Sequence, residues 1–541
     1  MKLKLSHFPL LIILAGILFS FYLQWQVPDG VYFSGDAGLK ALLARQLSAG
    51  IFRFDLVPPP QSWVRDLWDG GLYPYDKPFV YQVAHKYYIT FPFTFPLVTA
   101  PFQALFGDRG LYLIPLVSTW AIWLTFSWVC QRLKFNNFYT SLGLVSLIFA
   151  SPLTIYSAMY WEHTLAVALA FAGTAILLIA KTSSRLSKKN AILSGSLIGL
   201  SVWFRPEFLC WVAILVILIY LAALTQVERL EKINLKSIAF LSKNKNIFVA
   251  SMLVTIGLFF LCNQLIYNHP LGIHAIQVVE ESSLTQKLKD AWKSFQELGL
   301  AFLNYFPITL FLAFYLILSF FKKREFKFNL KLILVYLICL FFIMGVSLIV
   351  PPGTAGLIPG GKQWGARFLL ILIPIVTLVA IKELIYLKES VRPILGYVGI
   401  SIISLLLIVG IHKNTYAATI YLQENHQGIL PAIEFIEKNP NDVIAISHQF
   451  VAQAIEASVS RDKFFFLVEN KKSLSKLSAA LLRQKQQNFL YVCYPFRPCP
   501  LPEEISENLK IIQKDRRFTI KFLNLGKLGK YPIYEVAIAQ N

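Results

Sequence analysis

The chain reads as a mainly α, polytopic transmembrane helical bundle with a small C-terminal extracytoplasmic α/β domain. Three observations carry this. Of 541 residues, 56% are hydrophobic and only 15% charged, where soluble domains average about 25% charged. Charge-free runs such as "LIILAGILFSFYL" and "SIISLLLIVG" recur up to residue 411, and they approach the ~20 apolar residues that cross a hydrocarbon core. Beyond about residue 412 short apolar runs alternate with amphipathic stretches, the pattern of a mixed α/β domain.

Apolar runs near 7–26, 110–130, 138–158, 164–181, 191–204, 207–224, 247–267, 301–321, 331–350, 367–381 and 393–411 are the expected spans, about eleven in all. The first follows a basic "MKLK" with no small-residue cleavage site, so it reads as a retained signal anchor. The run at 91–106 holds Pro92, Pro96 and Pro101, which disfavour a continuous span. Charge decides its placement. The basic stretches 131–134, 181–189, 225–246, 321–331 and 382–392 all fall on the cytoplasmic side only if 91–106 does not cross. It is therefore read as an interfacial or re-entrant helix. This puts the N-terminus inside and the C-terminal domain outside. The loops 27–109, 268–300 and 351–367, with "YWEHT" and "FRPE", then face outward.

The net charge of +21 is accounted for by these short basic loops, so no nucleic-acid partner is expected. The tail runs 412–541, against a membrane module at 1–411 with its long outer loop at 27–109. "DVIAISHQF", "KFFFLV", "NFLYVCYP" and "YPIYEVAIA" are expected strands, and "GILPAIEFIEKN" and "LSKLSAALLRQKQQ" amphipathic helices. Cys493 and Cys499 in "CYPFRPC" can pair in an oxidising compartment. The tail has no glycine-rich phosphate loop, and no HExxH or CxxC occurs in the chain; no cofactor is expected, and a metal is not favoured.

The outer stretches hold the groups capable of chemistry, and each also has a plainer reading. Asp36 in "FSGDAGLK", with Lys40 a turn later, opens a helix-like segment; it is a base or simply a helix cap. Glu162 in "YWEHT" is a second acid or a solvated turn. Arg205 and Glu207 in "FRPE", and Lys362, Trp364 and Arg367 in "GGKQWGAR", sit at span ends. There arginine and lysine hold phosphate or snorkel to headgroups. Lys40, Glu207, Trp364 and, in "NHPLG", His269 are further candidates for binding the substrate or its phosphate, and His269 is placed too loosely for a metal. The aromatic residues of the first loop suit an anchoring belt or a platform for the apolar faces of sugar rings.

In their order and sidedness, "GDAGLK", "HKYYITFPFTFPLVTAPF", "YWEHT", "FRPE", "NHPLG" and "GGKQWGARFLLILIP" resemble the GT-C superfamily of integral-membrane glycosyltransferases. The likeness is to its bacterial branch of mannosyl- and aminoarabinose-transferases, and it covers about residues 1–411. The resemblance implies transfer of a sugar from a polyprenyl-phosphate carrier to an acceptor hydroxyl or amine on a glycan, lipid or protein. It implies inversion at the outer face of a bacterial inner membrane. Asp36 matches the family's general base and Glu162 its second-loop acid, although an Asp is commoner there. Arg205 and Arg367, with Lys362, match its phosphate-holding residues. A polymerase or ligase of lipid-linked glycans, a lipid-glycan transporter and a non-catalytic scaffold are the alternatives. A transporter predicts charges at mid-span, whereas the ionisable groups here sit at span ends.

Overall fold

The computed structural model describes residues 7–182, 186–227, 243–273, 283–321, 330–353, 363–391, 393–499, 501–502, 509–513 and 516–540. The chain divides into two compact units, Met1–Trp25 with Tyr112–Ile420, and Gln26–Leu111 with Tyr421–Asn541. The first outer loop therefore shares a unit with the tail.

The first unit is helical. Most of the expected apolar runs form helices: Phe8–Trp25, Leu113–Arg132, His163–Thr182, Lys188–Phe204, Phe208–Val227, Lys243–Tyr267, Leu330–Ser347, Leu372–Tyr386 and Pro393–Ile411. Two runs depart from expectation, both at proline. The helix Asn137–Ile148 stops before Pro152, and a short 3-10 turn, Thr154–Ala158, follows. The run at 301–321 is broken at Pro307 into Leu284–Tyr305 and Ile308–Phe321, whose axes bend by 104°. Proline lacks the amide and clashes with the preceding turn, so neither helix runs through it. The helix at Leu284 also starts inside the stretch read as a loop, where the Ser283 hydroxyl accepts from the Gln286 amide at 3.3 Å. Among the described residues, five helices are long and apolar enough to cross a membrane, six if the bent pair is one span. Asn137–Ile148, Phe208–Tyr220 and Ile333–Ser347 are shorter apolar helices.

Small residues bring three of these helices close together. In "GSLIG", Gly195 and Gly199 face the helix Lys243–Tyr267. A methyl at Gly195 would lie 2.3 Å from the Phe248 carbonyl oxygen, and one at Gly199 would lie 2.8 Å from that of Met252. Gly173 packs in the same way on the Ser194 carbonyl, at 2.8 Å, while the Ser194 hydroxyl donates to the Gly173 carbonyl at 2.7 Å. Between apolar helices, where lipid competes for every hydrophobic contact, this backbone approach is the main source of attraction. It also fixes geometry. The helices His163–Thr182 and Lys188–Phe204 are consecutive and tightly packed, so the start of one comes beside the end of the other.

The second unit is built on a six-stranded sheet. Its strands are β3 (Val443–Ile446), β4 (Phe464–Leu467), β5 (Asn488–Val492), β6 (Leu509–Gln513), β7 (Arg516–Leu528) and β8 (Tyr531–Gln540), in the order β4-β3-β5-β8-β7-β6. A separate hairpin pairs β1 (Val80–Val83) with β2 (Lys86–Ile89). β3 runs parallel to β4 and to β5, and the remaining pairs are antiparallel. The period-2 alternation of a strand sorts its side chains onto two cores. Ile444, Ile446, Phe465, Leu490 and Val492 face one, with helices Leu430–Lys438 and Gln449–Ile455 and the first-loop helix Gly35–Ser48. Val443, Ala445, Phe466, Phe489 and Tyr491 face the other, with Lys471–Arg483 and the first-loop residues Val64, Leu67 and Trp68. The sheet is thus covered on both faces, as parallel strands require.

First-loop segments are bonded into this unit over long sequence distances. Arg45 donates to the carbonyls of Val459, at 2.9 Å, and of Ala457. The Trp68 indole donates to the Phe465 carbonyl at 3.0 Å. Cys493 and Cys499 form a disulfide, with their Cα atoms 5.9 Å apart.

Candidate functional site

In the helical unit, four residues singled out in the sequence come together at helix ends. Glu162 precedes the helix His163–Thr182, Arg205 is the C-cap of Lys188–Phe204, and Glu207 immediately precedes the helix Phe208–Val227. Because the first two helices pack closely, Arg205 reaches back across 43 residues of sequence. Its Nη1 donates to Glu162 Oε1 at 2.8 Å, and its Nε donates to Glu207 Oε1 at 2.6 Å. All three side chains are buried, Glu162 to 1% exposure. Glu162 is therefore not a solvated turn residue, and Arg205 does not snorkel. Three buried charges held by short, charge-assisted bonds persist only because they are paired; removing any one strands the others.

The fourth residue is Arg367. It follows a turn that needs Gly365, which has φ +70° and would press a Cβ to 3.0 Å from the Tyr305 ring. Arg367 begins a short 3-10 turn, Arg367–Leu369. Its guanidinium lies 4.7 Å from the Trp161 ring and 5.0 Å from the Phe368 ring. The Arg205 guanidinium lies 4.9 Å from the same Phe368 ring. Both guanidiniums thus lie against the Phe368 ring, a contact favoured by the ring quadrupole. His163 is buried beside them, its ring 5.4 Å from Trp161 and 6.0 Å from Phe368. Trp161, His163 and Phe368 were not singled out as ligands in the sequence; their signal was adjacency to Glu162 and Arg367.

Trp364 has a different local role. Its indole donates to Asn414 Oδ1 at 3.1 Å, and its carbonyl accepts from the Tyr156 hydroxyl at 2.7 Å. It anchors the segment that leads to Arg367. His269 is exposed on a turn, where its Nδ1 accepts from the Leu271 amide at 3.2 Å. Lys362 lies outside the described residues.

Asp36 and Lys40 belong to the second unit. The cap of the helix Gly35–Ser48 is Ser34, whose hydroxyl accepts from the Ala37 amide at 3.4 Å. Asp36 is therefore not the cap. It is a half-buried acid in the first turn, where a negative charge interacts favourably with the helix dipole. Lys40, one turn on, is 1% exposed, with its ammonium 4.6 Å from the Phe91 ring. The glycines around Asp36 answer to packing. A methyl at Gly38 would lie 1.9 Å from the Gln453 carbonyl oxygen, and one at Gly35 would lie 2.4 Å from Gln453 Oε1. Among the described residues, no group of three or more His, Cys, Asp or Glu side chains is placed to hold a metal.

No protein-family model matches the chain, and no curated protein matches it in sequence. Solved structures do match in fold. ArnT from Cupriavidus metallidurans in the apo state aligns with a TM-score of 0.55 at 11% identity, over 97% of each chain. The same protein bound to undecaprenyl phosphate aligns at 0.52, again with 11% identity and 97% of each chain. The chain therefore has the fold of ArnT, as the sequence resemblance implied.

Proposed function

We propose that this chain is an integral-membrane glycosyltransferase that takes a sugar from a polyprenyl-phosphate carrier. It passes the sugar, with inversion, to an acceptor hydroxyl or amine at the outer face of the membrane. The observation that carries this reading is the buried arginine–carboxylate–aromatic cluster at the helix ends, in a chain that shares its fold with a protein solved with undecaprenyl phosphate bound. In this proposal the helical unit crosses the membrane about eleven times, with the N-terminus inside and the tail outside. The Cys493–Cys499 disulfide fits an oxidising outer compartment.

Each residue has a chemical task in this proposal. Asp36 accepts the proton of the acceptor O–H or N–H as the acceptor atom bonds to the anomeric carbon, a contribution of about 10²–10⁴-fold. The bond from that carbon to the phosphate oxygen breaks on the opposite face, and its electron pair leaves with the lipid phosphate. Arg367 binds the phosphate through its planar fork and stabilises the charge that develops there. Arg205 supplies a second positive centre, held in position by Glu162 and Glu207. Glu162 is a positioning group here rather than a second base, because it is buried and its Oε1 already accepts from the Arg205 guanidinium at 2.8 Å. Lys362 completes the phosphate-holding set. No step requires a metal.

The test of the phosphate role is binding of undecaprenyl phosphate, measured by native mass spectrometry of the purified full chain. Wild type is expected to retain the lipid, Arg367→Ala to lose it by about tenfold or more, and Arg367→Lys to retain an intermediate fraction. Equal retention by Arg367→Ala and wild type would show that the phosphate is held elsewhere.

A further inference from the structure

The tail sheet contains a half-turn of doubly wound topology. From β3 the chain passes through Gln449–Ile455 on one face to β4, then through Lys471–Arg483 on the opposite face to β5. β4 and β5 flank β3. The winding therefore reverses between β3 and β5, and in open α/β sheets the carboxyl ends of the strands at such a point are where ligands bind. The residues that emerge there are Ser447 and His448 after β3, and Cys493 and Tyr494 after β5. The two ends are tied together, since the Tyr494 amide donates to the Ser447 hydroxyl at 2.8 Å.

These residues begin a cluster of ring side chains that the mechanism above does not use. The His448 and Tyr494 rings stack at 5.1 Å, and Phe450 lies 4.6 Å from His448 and 5.4 Å from Tyr494. Phe496 is 5.5 Å from Tyr494, and Phe79, from the first loop, is 5.4 Å from Phe450. Phe496 is 54% exposed. It is carried on a short loop closed by the Cys493–Cys499 disulfide and stiffened by Pro495 and Pro498, with Arg497 beside it. A rigid loop that holds an apolar ring out in water serves no core.

Polar groups edge the cluster. His448 Nδ1 accepts from the Phe450 amide at 3.2 Å, which places the ring proton on Nε2 as a donor. Burial and then the nearby Arg497 hold the His448 pKa below its usual value, so the ring is neutral at pH 7 and keeps this tautomer. Arg497 adds a planar donor fork. Aromatic faces with a few convergent donors are the composition of a small-ligand site, and they match a pyranose, whose C–H face is apolar and whose rim is hydroxyl.

We propose that the surface formed by His448, Phe450, Tyr494, Phe496 and Arg497 is a saccharide-binding subsite that holds one pyranose ring of the acceptor glycan. The ring stacks on Tyr494 and Phe496, and His448 and Arg497 donate to its hydroxyls or to an acidic substituent. This rests on the glycan-transferring function proposed above. It adds that the acceptor is itself a saccharide, engaged at the tail as well as at the reacting centre.

The test is a glycan array of neutral hexose, N-acetylhexosamine and uronic-acid termini, probed with the purified full chain in detergent. Wild type is expected to bind a subset of termini. Phe496→Ala and Tyr494→Ala should weaken that binding by about three- to tenfold, the scale of one lost ring contact. Leu523→Ala, an exposed residue on β7 two strands away from β5, should leave it unchanged. Binding to no terminus, or equal binding by Phe496→Ala and wild type, overturns the subsite. So does a change in solution mass for Phe496→Ala, which would identify the surface as a contact with a second copy. Asp36→Asn is carried in parallel, because it should bind glycans normally while losing transfer. If it loses transfer and Phe496→Ala binds normally, only the subsite falls; if it transfers normally, the Asp36 mechanism fails whatever the array shows.

Discussion

In the helical unit the conspicuous buried polar groups are full charges, Glu162, Arg205 and Glu207, held together at adjoining helix ends. In the second unit the interior is a two-faced sheet core, with Gly38 set so close to the Gln453 carbonyl that an added methyl would lie 1.9 Å from its oxygen. The first arrangement depends on complete pairing of charge, the second on the absence of a side chain. A single substitution therefore injures the two regions by different physics, and the sizes of the injuries can be ranked.

The largest effect is expected in the ion cluster. Arg205→Ala leaves two buried carboxylates without their cation and should cost about 3–5 kcal/mol. Thermal unfolding of the purified full chain would show this as a large drop in midpoint or as loss of folded protein. Glu207→Gln, which keeps a hydrogen-bond acceptor, should cost markedly less. Equal losses for the two variants would mean that packing, not charge pairing, holds the cluster.

The glycine contact comes next. Gly38→Ala forces the helix Gly35–Ser48 away from Gln453 and should cost about 1–3 kcal/mol. Gly257, in the helix Lys243–Tyr267, has nothing within 4 Å of where a methyl would go. Gly257→Ala should be neutral or stabilising by about 0.5–1 kcal/mol. If both alanines behave alike in thermal unfolding, close approach is not what selects glycine at 38.

A smaller, pH-dependent effect should distinguish the second unit. Glu456 bonds the Tyr75 hydroxyl, and burial pushes its carboxyl pKa up to about 7 from 4.5, opposed by the Tyr75 bond and the charge of Arg45. Because the folded state favours the protonated acid, the unfolded state gains as pH rises above 4.5. Stability from this group is therefore present in acid and lost between about pH 4.5 and 7, by roughly 1–3 kcal/mol. Glu456→Gln should flatten the dependence of the melting midpoint on pH over that window and raise the midpoint at pH 8. An unchanged slope would show that Glu456 ionises without cost in the fold.

The sequence exposed the two units unequally, for the same physical reasons. Hydropathy is a local property, so nearly every expected apolar run appears as a helix, with breaks at Pro152 and Pro307 where backbone chemistry overrides composition. Helix length was less legible: among the described residues five helices, or six with the bent pair, are long and apolar enough to cross a membrane. The members of the ion cluster were visible one by one as charges at span ends. Their mutual pairing was not, because it depends on how the helices at 163–182 and 188–204 pack through Gly173 and Ser194. The tail strands β3, β4, β5 and β8 were legible as apolar runs, whereas β7, "RRFTIKFLNLGKL", is interrupted by basic residues and escaped notice. The union of the first loop with the tail was hidden altogether. It rests on contacts such as Arg45 to Val459, 414 positions apart, which no window of sequence can register. Asp36 was first readable as a cap, and Ser34 turns out to hold that place.

The proposed reaction is transfer from a lipid phosphate with Asp36 as base. Its most direct measurement is transfer of labelled sugar from a panel of polyprenyl-phosphate sugars, comparing wild type with Asp36→Asn in membranes that contain equal amounts of folded protein. Wild type is expected to transfer from at least one donor, and Asp36→Asn to lose about 10²-fold or more of that rate. Transfer by Asp36→Asn at the wild-type rate would contradict it.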